Sequence, residues 1–275
     1  MAVTMAEISH LRKMSGAGMM DCKSALQEAE GDFDKAMEII RKKGQAVAAK
    51  RSDRDAAEGC VLAENKGGFA AIVALKCETD FVAKNEQFIS LTKDILNIAL
   101  DKKPASLADL LDSPMADGRT VQNHITDRIG VTGEKMELGF YEFLNGASSI
   151  SYIHPGNKLA TIAAFNLPDV EFQVARDVAM QVAAMNPVSV TPEEVDQKTI
   201  NQELEIARDK ARQAGKPENL LDRIAEGALQ KFYKESTLLQ QEFVKDNKFT
   251  IDQYLKQQNK ELTVTAFKRV TLNVE

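Results

Sequence analysis

The stretch "CETDFVAKN", Cys77 to Asn85, places a carboxylate, Asp80, beside a large apolar ring, Phe81, between a run of strand formers and an amphipathic helical pattern. A loop is expected there, and a loop aromatic needs a reason. Asp80 could cap the helix that follows while Phe81 tucks back against it as a hydrophobic staple. The sharper reading gives the pair a task outside local architecture, and the rest of the chain has to supply that task.

Conventional catalytic chemistry has little to stand on. No G-x-x-x-x-G-K-[ST] phosphate loop is present, and "SGAG" (Ser15 to Gly18) is no dinucleotide fingerprint, because Asp21 stands where a third glycine would be. His10, His124 and His154 include no pair at helical metal-ligand spacing. Cys22, Cys60 and Cys77 are odd in number and form no C-x-x-C, which suits a reduced, cytoplasmic protein. No G-x-S-x-G elbow occurs, and Asp53 and Asp55 fall in a charged, surface-like stretch. The expectation is therefore a protein that is not an enzyme, has no metal or cofactor, and works by binding another protein.

The elements that must position the loop can be read from periodicity. Thr4 and Glu7 form a capping-box pair ahead of a helix carrying Ile8 and Leu11, which "SGAG" ends. A second helix places Cys22, Leu26 and Ala29 on one side and stops at Gly31. Asp32 caps a third, with Phe33, Ala36, Met37 and Ile40 at helical spacing; Arg41, Lys42 and Lys43 close it and Gly44 terminates it. From Arg41 to Arg54 there are six basic residues and one acidic one, without aromatics to stack bases, which reads as a linker or helix end more readily than as an RNA contact.

From Glu58 the pattern turns to strands. "GCVLAEN" and "FAAIVALKC" flank a "KGG" hairpin turn, and a helix with Phe88, Leu91, Ile95 and Ile98 follows the opening loop. "SSISYIHPGNKLATIAAFN" and the helix ending in "VAAMNP" repeat that plan, so residues 58–99 and 148–187 read as two copies of one hairpin-plus-helix unit. Between them "GRTVQNHITDRIG" is helical and "KMELGFYEFL" a strand. Ile200, Leu204, Ala207, Ala211 and Ala214 form a coiled-coil seam; after Gly215 and Pro217 a returning helix carries Leu221, Ile224 and Ala228. That seam could close on itself or join two copies as a homodimer. "ELTVTAFKRVTLNVE" is a closing strand that returns to the second unit's sheet.

The fold class expected is α+β. An N-terminal three-helix bundle with its linker spans 1–56, and core segments span 57–140, 141–190 and 231–275. The helical hairpin, 191–230, is inserted between the last two. A net charge of −6 argues against a general nucleic-acid binder, and no apolar run approaches the roughly 20 residues that span a bilayer, so no membrane partner is expected.

"LRKMSGAGMMDCKSAL", "GDFDKAMEIIRKKG", "CETDFVAKN" and "VAAMNP", in that order, closely resemble the bacterial elongation factor Ts family over nearly the whole chain. The first and third strings are specific; the last is supportive. The resemblance implies a bundle of the ubiquitin-associated type, two related core subdomains and an inserted coiled coil. It also implies exchange of GDP on the translation GTPase elongation factor Tu, bound in its GDP and nucleotide-free forms. Thr79, Asp80, Phe81 and Val82 match the loop that enters the partner's G domain and displaces its Mg²⁺, without the factor touching nucleotide. His154 matches a histidine near the partner's nucleotide, although a lone histidine at a strand end is also often just solvated. Arg12, Met19, Met20 and Lys23 are candidate docking residues, and the methionines could equally fill the core. Longer members carry a further C-terminal helix, and this chain ends soon after "FKRVTL". The rival reading is a bundle that recruits some other protein, with the core as a scaffold only.

Overall fold

A computed structural model describes residues 3–273. In chain order the elements are α1 (Met5–Ser15), α2 (Met19–Glu28), α3 (Phe33–Arg51), β1 (Glu58–Lys66), β2 (Phe69–Cys77), α4 (Asp80–Ala83), α5 (Glu86–Lys102), α6 (Leu107–Asp112), α7 (Val121–Thr132) and β3 (Met136–Asn145). There follow β4 (Ser148–Ile153), β5 (Leu159–Phe165), α8 (Phe172–Met185), α9 (Gln197–Gln213), α10 (Leu221–Ser236), β6 (Glu242–Phe243), β7 (Asp246–Thr250), α11 (Ile251–Gln258) and β8 (Val264–Thr271). The protein is a mixed α+β chain.

The N-terminal helices begin where local chemistry requires. Thr4 accepts from the Glu7 amide while the Glu7 carboxylate accepts from the Thr4 amide, closing the capping box, and Asp32 accepts from Lys35 N to start α3. Gly16 takes the left-handed conformation (φ 71°) that ends α1. Ile8, Leu11, Cys22, Ala25, Leu26 and Ala36 form the bundle's core. Gly44 does not terminate α3, which runs on to Arg51. The glycine that packing requires here is Gly130: α3 crosses α7 at this point, and a Cβ on Gly130 would lie 2.6 Å from Gly44 Cα, whereas one on Gly44 would meet Gly130 Cα at an ordinary 3.4 Å. Of the two readings of the basic stretch after Arg41, helix end or linker, it is helix as far as Arg51.

Two antiparallel three-stranded sheets, β1-β2-β3 and β4-β5-β8, make the core. Period-two alternation divides β2 between two interiors. Ala70, Ile72 and Ala74 face the other sheet, where they meet Ala160, Ile162 and Ala164 of β5. Phe69, Ala71, Val73 and Leu75 face α5 and α7, against Phe88, Ile95, Ile125 and Ile129. Small residues on the shared faces let the sheets lie close, and helices cover both outer faces; α8 and α11 serve the second sheet through Val178, Val182, Ile251 and Leu255. Asn65 joins the sheets at their edge, donating from its amide to Ser149 O and accepting from Ser151 N.

The closing strand β8 returns to the second unit's sheet, as its sequence suggested, and pairs there with β5. In the helical hairpin Ala207 and Ala211 are buried with Leu221 and Ala225, while Ala214 and Ala228 of the expected seam are exposed. Arg208 to Asp222 and Arg212 to Glu218 are ion pairs across it. Two boundaries read from sequence cut through elements: β3 continues past 140 to Asn145, and α10 continues past 230 to Ser236. Among the described residues no helix is long and apolar enough to cross a membrane.

Candidate functional site

Strand β2 ends at Cys77 and the chain turns at once into α4, a single turn of helix. Thr79, not Asp80, is its N-cap, accepting from Val82 N at 3.4 Å. Helix α5 then has its own cap, Asn85, which accepts from Gln87 N. One turn of helix aims successive side chains in different directions. Val82 packs on the core of the first sheet and Ala83 is buried, whereas Phe81 is 84% exposed. Phe81 therefore does not staple α5. It stands in solvent, the most exposed large apolar side chain among the described residues.

Asp80 forms an ion pair with Lys84 one turn on, at 2.7 Å. That hydrogen bond, followed in weight by the charge of Lys84 and then more distant contributions including Lys158, holds its carboxyl below the usual range. Asp80 is thus an anion at neutral pH beside the exposed ring. Lys158 itself pairs with Glu58 at 2.8 Å.

The turn that carries Lys158 begins at His154. His154 is exposed; its Nδ1 lies 3.1 Å from Tyr152 Oη and its backbone N–H donates to Leu159 O. Asn157 O accepts from Val61 N, which seats this turn against β1. Glu58, which holds Lys158, stands opposite Cys77 in the β1–β2 pairing, so the His154 turn and the Phe81 turn lie at the same end of the core.

The loop's two ends are fastened by residues that sequence reasoning missed. Before α4, the two oxygens of Glu134 accept from Thr79 N (3.1 Å) and Thr79 Oγ1 (2.7 Å). In return Glu78 accepts from Lys135 N (2.7 Å) and pairs with Arg54 (2.9 Å). After α4, the Arg128 guanidinium donates to Asn85 Oδ1 and Gln87 Oε1. Cys77 donates its thiol hydrogen to Thr79 O, and burial pushes its pKa up to about 12, so it remains a neutral donor. None of these partners is signalled by local pattern, since Glu134 is 55 residues from Thr79.

Arg12, Met19, Met20 and Lys23 lie elsewhere, on α1 and α2. All four are exposed, with Met20 70% accessible, so the methionines do not fill the bundle core. Met19 and Lys23 are one helical turn apart on α2. The bundle reaches the loop through α7: a Cβ on Gly16 would meet Arg128 Nη1 at 3.7 Å.

Among the described residues no group of three or more His, Cys, Asp or Glu is placed to hold a metal ion. What this edge offers is a rigidly mounted aromatic ring with a neighbouring carboxylate, which suits insertion into a macromolecule.

Comparison with known proteins bears on which macromolecule. Residues 78–274 match the family model described as Elongation factor TS. The chain is 74% identical over 275 residues to elongation factor Ts of Porphyromonas gingivalis and 57% identical over 275 residues to that of Azobacteroides pseudotrichonymphae, each alignment covering both chains completely. It is 46% identical over 332 residues to elongation factor Ts of Bacteroides fragilis, again with full coverage of both. The full-length relatives, and a family model that begins at the exposed loop and runs through β8, make this chain a member of the elongation factor Ts family.

Proposed function

We propose that this protein is the guanine-nucleotide exchange factor for elongation factor Tu, acting in the cytoplasm by docking on the partner's G domain and dislodging its Mg²⁺ so that GDP leaves. The observation that carries this reading is the 84% exposure of Phe81 on a turn fastened at both ends. A ring held in water gains about 1.5–3 kcal/mol when a partner buries it. Mg²⁺ neutralises phosphate charge, so displacing it weakens nucleotide binding without any contact between the factor and the nucleotide.

Asp80 adds an anion where the ring enters, able to compete for cationic or donor groups that would otherwise serve the phosphates. Thr79 and Val82 fix the turn, and His154 adds a polar contact from the neighbouring turn. The remaining free energy comes from a wider interface, to which Arg12, Met19, Met20 and Lys23 contribute from the bundle. The bundle would then be a docking domain of the ubiquitin-associated type. The two hairpin-plus-helix units would be related core subdomains, and α9 with α10 an inserted coiled coil. No covalent chemistry is needed, so the protein would need no cofactor and would not be an enzyme in that sense.

Linkage sets a condition: a factor that weakens GDP binding is itself bound more weakly, by the same factor, when GDP is present. The test is release of a fluorescent GDP from elongation factor Tu after rapid mixing. Acceleration that rises and saturates with added protein supports the reading. An unchanged release rate with a competent partner contradicts it and favours a bundle that recruits some other protein.

A further inference from the structure

Resting on that reading, we propose that α7 and the residues immediately after it form the frame that holds Phe81 out for the partner, with Glu134 as its positioning residue. An exposed aromatic on a four-residue helix would ordinarily relax. One turn of helix has almost no intrinsic stability, and an unpartnered ring gains by folding back onto apolar surface. Here the turn is held from both sides by one element. Glu134 takes both the amide and the hydroxyl of Thr79, the cap residue, while Lys135 N–H returns a hydrogen bond to Glu78. Arg128, on α7 itself, holds Asn85 and Gln87 at the far end. The exposed Phe81 and Lys84 and the half-buried Asp80 lie between these fastenings.

The same helix carries the bundle. Gly130 meets Gly44 of α3 at a separation that leaves no room for a Cβ on Gly130, and Arg128 and Val131 lie 3.7 Å from where a Cβ on Gly16 would be. Within seven residues, 128–134, the chain therefore contacts the bundle that bears Met19 and Met20 and both ends of the loop that bears Phe81. It fixes the spacing between two surfaces that must engage one partner together. Pre-setting such spacing removes the ordering cost from the binding event.

Glu134 is the member of the frame that mutation can isolate. Glu134→Ala removes both acceptors from Thr79. Glu134→Gln keeps both contacts, because the amide oxygen can accept from Thr79 N and the amide nitrogen can donate to Thr79 Oγ1. The experiment measures the maximum rate of GDP release and the half-saturating concentration for the wild type, Glu134→Ala, Glu134→Gln, Phe81→Ala and the Glu134→Ala/Phe81→Ala double variant. Amide hydrogen exchange at residues 79–85 in the free proteins is measured in parallel.

The frame predicts that Glu134→Ala lowers the maximum rate on the order of tenfold, because the ring is no longer held out for the partner, with the half-saturating concentration held by the bundle. Glu134→Gln restores most of that rate. The double variant is no slower than Phe81→Ala, since Glu134 acts through the ring. Exchange at 79–85 accelerates in Glu134→Ala and not in Glu134→Gln. The proposal is overturned if Glu134→Ala slows the Phe81→Ala protein by the same factor as it slows wild type, or if exchange at 79–85 does not change. A wild type that fails to accelerate GDP release contradicts the exchange reading instead, and with it this use of the frame.

Discussion

Gly44 and Gly130 meet backbone to backbone where α3 crosses α7, and a Cβ on Gly130 would sit 2.6 Å from Gly44 Cα. Gly130→Ala is consequently predicted to destabilise the protein, although alanine favours helix over glycine by about 1 kcal/mol. Overpacking two backbones costs more than that gain, with a net loss of about 1–3 kcal/mol. Denaturant unfolding checks this, and hydrogen exchange along α3 should accelerate with it. An unchanged or raised stability would mean that the helices part without cost.

Phe81 presents the opposite case. Because its ring touches so little of its own protein, Phe81→Ala should leave stability within about 0.5 kcal/mol of wild type. Thermal or denaturant unfolding of the variant measures this directly. A loss of 2 kcal/mol or more, on the order expected for a packed aromatic, would show that the ring is part of the fold.

Glu78 gives a pH prediction. Its carboxyl is held below the ordinary 4.5, first by the Lys135 amide and then by Arg54 and Arg51, against the opposing cost of its burial. A depressed folded-state pKa contributes stability that is fully present above the unfolded value and is lost as pH falls through the folded one. Glu78→Gln should therefore be less stable than wild type at pH 7, and the gap should close as the pH is lowered from about 5 towards 3. A gap that persists at low pH would assign the effect to shape, not charge.

Cys22, Cys60 and Cys77 are all buried, and burial pushes the Cys60 and Cys77 thiols up to about 11 and about 12. Only thiolates react readily with aromatic disulfide reagents. At pH 8 the native protein should release no thiol equivalents within minutes and all three after denaturation. Rapid labelling of the native protein would contradict the burial.

Asp177 anchors the other half of the molecule. It is 5% exposed and accepts from Lys245 Nζ (2.6 Å), Tyr254 Oη (2.9 Å) and Gln173 Nε2 (2.6 Å), tying the β6–β7 hairpin and α11 to α8. Asp177→Ala strands these donors and should cost about 1–3 kcal/mol in denaturant unfolding. GDP-release kinetics should be unaltered, because nothing here touches the Phe81 edge. A neutral effect on stability would show that water replaces the carboxylate.

Which parts were legible in the sequence follows from the range of the forces involved. Caps act over three residues, so Thr4–Glu7 and the Asp32 start could be read directly. The β1–β2 hairpin could be read from its turn, but β2 is apolar on both faces, so its sequence does not separate the two interiors that the structure gives it. Gly44 reads as a stop, yet α3 runs through it, because a glycine inside a helix has the same local signature as a terminating one and the packing of α3 on α7 is set by Gly130, far along the chain. The short β6, β7 and α11 have too few residues for periodicity to register. At the candidate site the adjacent pair Asp80 and Phe81 stands out by residue type. Spacing alone favours a staple for Phe81 and only the family resemblance favours projection, while Glu134, Glu78 and Arg128 are invisible because tertiary structure alone brings them to the loop.

The central claim is that exchange depends on the exposed ring, and the maximum rate of fluorescent GDP release from elongation factor Tu tests it most directly. At saturating protein the account predicts strong acceleration by the wild type and, for a Phe81→Ala variant of equal stability, a rate lower on the order of ten- to a hundredfold, the equivalent of the ring's burial. Equal maximum rates for the two proteins would contradict it.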